Sequence, residues 1–112
     1  MKVETREDAL LHCFDLWLWL ACNPARKFKE DWPGWEENGG YLEHCNCYCP
    51  CCHYVYNYVY KRDFEQCQDL CPIKWSDIWC MTGEFGSYCT ATTNKERTKW
   101  ALKIAELALD AL

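Results

Sequence analysis

The spacing of the cysteines constrains the fold of this chain more than any other feature. Nine of the 11 cysteines fall between residues 45 and 89. The segment 45–53 reads Cys-Asn-Cys-Tyr-Cys-Pro-Cys-Cys-His, and a C-x-x-x-C pair follows at Cys67 and Cys71. Thiols at such spacings on two chain segments are what a tetrahedral metal ion requires. The sequence therefore predicts a domain that is stapled by a metal.

Composition sets the size and class of the protein. The 112 residues are half hydrophobic and 16% aromatic, too apolar for a disordered chain and about the length of a single domain. We therefore expect one domain over residues 1–112, with a modest core that a staple supplements. The net charge of −5 gives no basic field to attract nucleic acid, so a protein partner is favoured.

The N-terminal segment bears on whether the thiols are reduced. Residues 1–8 are charged with both signs and lack the basic leader of a secretory signal. The apolar run 9–22 is interrupted by His12 and Asp15 and is shorter than the roughly 20 residues of a membrane span. We therefore expect a cytoplasmic protein that does not enter the membrane, in which thiols stay reduced. Metal binding is favoured over disulfides.

Helical signals are clearest at the two ends of the chain. Thr5 precedes an acidic first turn, and Asn23-Pro24 stops a helix predicted over about 6–22. Thr93 and Glu96 form a capping box for a second helix over about 94–111. Apolar residues recur at helical spacing in both segments, so the two helices are expected to pack together. The first helix is apolar on more than half its circumference, which predicts burial on two sides or a partner surface.

The middle of the chain is less regular. Residues 24–40 are predicted to form a Trp-Pro-Gly-Trp corner, and residues 45–80 a metal knuckle. Tyr and Val alternate over 54–60, which favours a β-strand over a short helix. Residues 73–92 are predicted to be an irregular loop. The fold class expected from these elements is α+β and α-rich, with the knuckle clamped beside the two packed helices.

Two pairs of cysteines form the best candidate for a closed metal site. Cys49 and Cys52 form a C-x-x-C knuckle, and Cys67 and Cys71 supply a second chelate. Four thiolates in two pairs are typical of structural zinc, so we predict one structural zinc ion bound by these residues. Several substitutes remain open: Cys80 for Cys67, Cys45 or Cys47 for Cys49, and His44 or His53 as a fourth ligand.

Two other kinds of thiolate site compete with a single zinc ion. Cys45, Cys47, Cys49 and Cys51 recur at every second residue, as in a metallothionein-like multi-metal cluster. Metallothioneins avoid aromatic residues, however, and this segment is rich in them. Cys71-Pro72 resembles the end of a ferredoxin motif, but the closely spaced cysteines that should precede it are missing. The exact ligand set and the number of metal ions stay open.

Motifs of enzymes are missing from the sequence. There is no Walker loop, no G-x-S-x-G, no H-E-x-x-H and no dinucleotide-binding fingerprint. Cys49-Pro50-Cys51-Cys52 resembles a redox motif only superficially, because no βαβ pattern surrounds it. We therefore expect a protein that is not an enzyme.

Several short motifs together resemble small accessory proteins of tailed bacteriophages that are mostly of unassigned activity. These motifs are Arg6-Glu7-Asp8-Ala9-Leu10, Lys29-Glu30-Asp31-Trp32-Pro33, Trp35-Glu36, Asn38-Gly39-Gly40, C-x-x-C followed by an aromatic residue, Cys71-Pro72-Ile73-Lys74-Trp75, Cys80 and Glu96-Arg97. The recurring cysteines of that group match Cys49, Cys52 and Cys71, and here the partner of the last one is Cys67. The resemblance implies a protein made in an infected bacterium that binds and inhibits a host protein, such as a component of CRISPR or another immune system.

Two modes of binding follow from the residues. Aromatic side chains carry many protein interfaces, and Trp19, Trp32 and Trp35 are the candidates for contact with a host protein. The alternative is a zinc-containing regulator that binds nucleic acid. It would use basic residues against phosphates and tyrosines for base stacking: Arg26, Lys27, Lys29, Lys61 and Arg62, with Tyr54, Tyr56, Tyr58 and Tyr60.

Overall fold

Two long helices form the frame of the described part of the chain, which also contains four shorter elements between them. The computed structural model describes residues 3–26, 28–39, 49–55, 71–77 and 80–112. In chain order the elements are α1 (Arg6–Cys22), a 3₁₀ turn (Lys29–Asp31), α2 (Gly34–Glu37), α3 (Pro50–Tyr54), α4 (Glu84–Thr90) and α5 (Asn94–Asp110).

Side-chain caps begin both long helices at the predicted residues. The Thr5 hydroxyl accepts a hydrogen bond of 3.1 Å from the backbone N–H of Asp8. The Thr93 hydroxyl accepts one of the same length from the N–H of Glu96. Each bond satisfies a backbone donor that has no partner within the first turn of its helix, so the sequence located both helix starts correctly.

Helices α1 and α5 pack against each other, which confirms the prediction made from their apolar stripes. Helix α5 buries the small residues Ala101, Ala105 and Ala108, whose size lets another helix approach closely. Polar contacts fix the end of α1. The Thr98 hydroxyl donates to the carbonyl of Ala21 at 3.0 Å, and so satisfies a carbonyl that has no partner within the last turn of α1.

Helix α4 completes the aromatic part of the core. The indole of Trp17 on α1 meets the rings of Phe85 and Tyr88 edge to face, with centroids 5.6 and 5.0 Å apart. The prediction of an irregular loop over 73–92 is therefore wrong for residues 84–90. The helix was hard to detect because it is short and contains Gly86, a weak helix former.

The Trp-Pro-Gly-Trp corner packs against the backbone of the buried residue Lys29. The indole N–H of Trp35 donates to the carbonyl of Lys29 at 2.7 Å. Trp32 and Trp35 meet edge to face with centroids 5.1 Å apart, and both indoles lie in the core. Gly34 lies so close to the Trp32 ring that an added Cβ would be 2.1 Å from it. The glycine therefore lets the corner close.

The predicted fold class is wrong. The described residues form helices and turns and contain no strand, so this part of the protein is all-α rather than α+β. Tyr54, the first residue of the predicted strand, closes α3, and Val55 continues with helical backbone angles. Residues 56–60 lie outside the described ranges. Pro50 at the first position of α3 favours a helix start, and this local signal outweighs the alternation of Tyr and Val.

Candidate metal centre

The first turn of α3 brings together two of the predicted ligands. Cys49 caps the helix, and its carbonyl accepts the N–H of His53 at 3.0 Å. Residues three apart on a helix lie on one face, and the sulfurs of Cys49 and Cys52 are 3.5 Å apart. The C-P-x-C segment therefore forms a compact two-thiol knuckle, as a metal chelate requires.

A second thiol pair joins α3 to the first helix. The sulfurs of Cys13 and Cys51 lie 3.1 Å apart, and both side chains are fully buried. We call Cys13, Cys49, Cys51 and Cys52 the thiol cluster. Sequence reasoning missed Cys13, although a signal was present: Cys13 lies with Leu10 and Trp17 on the buried face of α1, where it points toward the core.

Two further cysteines border the thiol cluster. Cys71 is half-buried, and its thiol is among the hydrogen-bonding neighbours that raise the pKa of Cys51. Burial, together with the charges of Cys49 and Cys71, raises the pKa of Cys80 to about 11. Cys67, the fourth predicted ligand, lies outside the described residues, as do the alternatives Cys45, Cys47 and His44.

The thiols of the cluster differ in the direction in which their pKa values are shifted. Hydrogen bonds with Cys13, Cys51 and Cys52 hold the pKa of Cys49 well below its usual value, and the charge of Lys29 acts in the same direction. Burial instead raises the pKa of Cys13 and of Cys51 well above the usual value. Within the cluster, Cys49 is therefore the thiol whose ionisation the neighbouring groups favour most.

The lysine whose charge lowers the pKa of Cys49 lies in the core and not on the surface. Lys29 is buried, and its ammonium nitrogen lies 4.4 Å from the centre of the Phe85 ring. Lys29 was one of the candidates for phosphate contact, and its burial removes it from the surface on which nucleic acid would bind. Arg26 is exposed, whereas Lys27, Lys61 and Arg62 lie outside the described residues.

The predicted tryptophan anchors are mostly internal. Trp32 and Trp35 belong to the core, so neither indole is presented on the surface as an interface anchor would be. Trp19 is half-buried on α1 and follows the exposed Leu18 in the sequence. His53, an alternative ligand, is also half-buried, and burial lowers its pKa.

The donor set fits a soft metal ion, although it is not assembled around one point. Sulfur ligands are preferred by zinc and other thiophilic ions, and the thiol cluster presents four sulfurs on two helices. Within residues 3–26, 28–39, 49–55, 71–77 and 80–112, no group of three or more Cys, His, Asp or Glu side chains is positioned to hold a metal ion. A complete site therefore needs the two thiol pairs to converge further, or a ligand from outside these ranges.

The helices of the described part of the chain are each too short or too polar to cross a bilayer.

The comparisons with other proteins give no family: no protein-family model, no curated protein and no solved structure matches this chain.

Proposed function

We propose that this protein binds one zinc ion through cysteine thiolates and that the ion stabilises the helical fold. Cys49, Cys52 and Cys71 are the proposed ligands among the described residues, and Cys67 stays the fourth ligand predicted from the sequence. The observation that carries the proposal is the 3.5 Å separation of the Cys49 and Cys52 sulfurs. Two thiolates on a tetrahedral zinc ion at about 2.3 Å lie roughly 3.8 Å apart, so this pair needs little adjustment to bind zinc.

The ion would supply a cross-link and no catalysis. A zinc ion with four thiolate ligands has no open position for a substrate, in agreement with the expected lack of enzymatic activity. Its binding free energy becomes folding free energy because the unfolded chain has no preformed site, and apparent values are on the order of 10 kcal/mol. The ion would therefore be a major source of stability in a domain of this size.

Metal content is the direct test. Freshly purified protein should contain about one zinc ion per chain, the stoichiometry of a single four-ligand site, and chelation should lower its melting temperature. The Cys49→Ser variant should lose the ion, whereas Cys22→Ser, which alters an exposed thiol, should retain it. Wild-type protein that is fully reduced and free of metal, with a melting temperature that chelators do not change, would refute the proposal.

We further propose that the metal-stabilised domain is a non-enzymatic inhibitor of a bacterial host protein, as the resemblance to bacteriophage accessory proteins implies. The observation in its favour is a pair of exposed leucines on the outer face of α1, which we call the α1 leucine pair. Leu11 and Leu18 lie two helical turns apart and are 48% and 38% exposed, and Trp19 is half-buried beside Leu18. Such a surface suits an apolar groove on a protein better than a phosphate backbone.

A pull-down from bacterial lysate, with and without nuclease, separates the two binding modes. A Leu11→Glu/Leu18→Glu variant should lose a stoichiometric, nuclease-resistant protein partner. Leu102→Glu/Leu109→Glu is the matched control, because both leucines are 46% exposed on α5. Recovery of nucleic acid alone, with binding that weakens steeply as salt rises, would favour the zinc-containing regulator. Equal loss in both variants would show that the α1 leucine pair is not the binding surface.

A further inference from the structure

The buried pair of Cys13 and Cys51 has no part in the proposed zinc site. Cys13 lies in the middle of α1, and Cys51 lies in the first turn of α3, 38 residues further along the chain. Both side chains are fully buried, and their sulfurs are 3.1 Å apart. A buried cysteine often acts only as a small apolar residue. Two sulfurs that meet from different helices can, in addition, form a covalent bond.

We infer that Cys13 and Cys51 are an oxidation site, and that a small hydroperoxide such as hydrogen peroxide converts them into a disulfide that staples α1 to α3. The inference goes beyond the proposed zinc function and does not depend on it, because it uses none of the proposed zinc ligands. Both thiols are free in this structure, which is the reduced state of the site.

A small displacement of the two sulfurs is enough to form the bond. The S–S bond of a disulfide is about 2.05 Å long. The 3.1 Å separation of the Cys13 and Cys51 sulfurs must therefore shorten by about 1 Å, or about 0.5 Å for each sulfur. The sulfurs of Cys49 and Cys52 start farther apart, at 3.5 Å, and a zinc ion bound to them would occupy both. The Cys13–Cys51 pair is therefore the better placed of the two for a disulfide.

The oxidation takes two balanced steps. One of the two sulfurs attacks a peroxide oxygen, the O–O bond breaks and water leaves, so that this thiol becomes a sulfenic acid. The other sulfur then displaces the sulfenic hydroxyl group, which forms the S–S bond and releases a second water molecule. The two thiols together lose two electrons and two protons, and one molecule of hydrogen peroxide gains both and becomes two molecules of water.

Access of the oxidant requires a local opening of α3. This helix has five residues, and a helix so short is stable only through its packing. Its opening exposes Cys51 without unfolding the pair of long helices. Because both thiols are buried in the closed state, we expect them to be oxidised more slowly than the exposed thiol of Cys22.

The disulfide should stabilise the fold. It would link residues 38 positions apart, and closing a loop of that length removes conformational freedom from the unfolded chain. For a domain of this size we expect the melting temperature of the oxidised protein to exceed that of the reduced protein by roughly 10–20 °C. Oxidised protein that melts at or below the temperature of the reduced protein would contradict the role as a staple.

Disulfide mapping of the protein as purified tests the inference directly. The protein is treated with a small molar excess of hydrogen peroxide, the remaining thiols are alkylated, and chymotrypsin cleaves at the aromatic residues between Cys13 and Cys22. Tandem mass spectrometry then locates the bonded cysteine in each linked peptide. We expect a bond between Cys13 and Cys51 that a phosphine reductant removes. A bond from Cys13 to a different cysteine, or a Cys13 thiol that stays reduced after prolonged treatment that fully oxidises Cys22, would overturn the inference.

Variants give a second measurement. Cys51→Ala should lose both the linked peptide and the rise in melting temperature on oxidation. Cys22→Ala is the matched control on the same helix as Cys13, since Cys22 is exposed, and it should keep both. A Cys51→Ala protein with the same rise as the wild type would contradict the inference, and the bond located in the wild type decides the question if that variant does not fold.

Discussion

A single added methyl group at Gly86 tests the packing of α4. A Cβ at this position would lie 1.8 Å from the carbonyl oxygen of Met81 and 2.8 Å from its carbonyl carbon. The obstacle is backbone, so no side-chain rotation relieves it. The backbone N–H of Gly86 also donates to the carbonyl of Cys80 at 3.1 Å, and moving Gly86 away from Met81 would lengthen this bond.

The expected destabilisation of Gly86→Ala follows from three contributions. Overpacking a tight site costs about 1–3 kcal/mol, and loss of the hydrogen bond to Cys80 adds about 1 kcal/mol. Alanine recovers about 1 kcal/mol through its higher helix propensity, because Gly86 does not have a positive φ angle. The net loss is about 1–3 kcal/mol, which for a domain near this size lowers the melting temperature by roughly 5–20 °C.

Thermal unfolding followed by circular dichroism measures this difference. Ser87→Ala is the control on the same helix: it adds no atom, and it removes only a long hydrogen bond of 3.4 Å to the carbonyl of Gly83. We expect the melting temperature of Ser87→Ala to stay close to that of the wild type. If Gly86→Ala unfolds at or above the wild-type temperature, helix propensity dominates and the close approach of α4 to Met81 is refuted.

Two further predictions concern polar contacts. Thr98→Val removes the hydrogen bond to the carbonyl of Ala21 and should lower the free energy of unfolding by about 1 kcal/mol in denaturant titrations; an unchanged value would show that this bond contributes nothing. Burial raises the pKa of the Glu84 carboxyl group, whereas hydrogen bonds from Ser76 lower it. The hydrogen bonds have the larger effect, so the pKa of Glu84 lies below 4.5, the ordinary value for a glutamate. Its stabilisation is therefore present above pH 4.5 and lost as the pH falls through the folded-state pKa. The stability difference between the wild type and Glu84→Gln should shrink on acidification, and a pH-independent difference would contradict this.

The sequence predicted the long helices well because their signals are local. The Thr5 and Thr93 caps and the apolar stripes fixed α1 over Arg6–Cys22 and α5 over Asn94–Asp110, within one residue of expectation. Alternation of Tyr and Val over 54–60 was misleading, because a short run of that pattern also fits a helix started by Pro50. Helix α4 depends on tertiary contacts with Trp17, which no local pattern displays.

The candidate site shows the same division between local and long-range information. The Cys49–Cys52 knuckle is encoded by a spacing of three residues, and the structure brings these sulfurs together. The contact between Cys13 and Cys51 depends on how α1 packs on α3, so it cannot be read from spacing alone. Burial likewise removed Lys29, Trp32 and Trp35 from the surface, although their residue types suggested contacts with partners.

The hydrogen bond from Thr98 to Ala21 has a consequence for folding during synthesis. The two residues are 77 positions apart, and ribosomes add about 5–20 residues per second, so α1 exists for roughly 4–15 s before Thr98 is made. Throughout that time the face of α1 that will later meet α5 stays uncovered. Contacts of such high sequence separation slow folding, and exposed apolar surface invites aggregation. The nascent chain is therefore expected to be most prone to aggregation before α5 emerges.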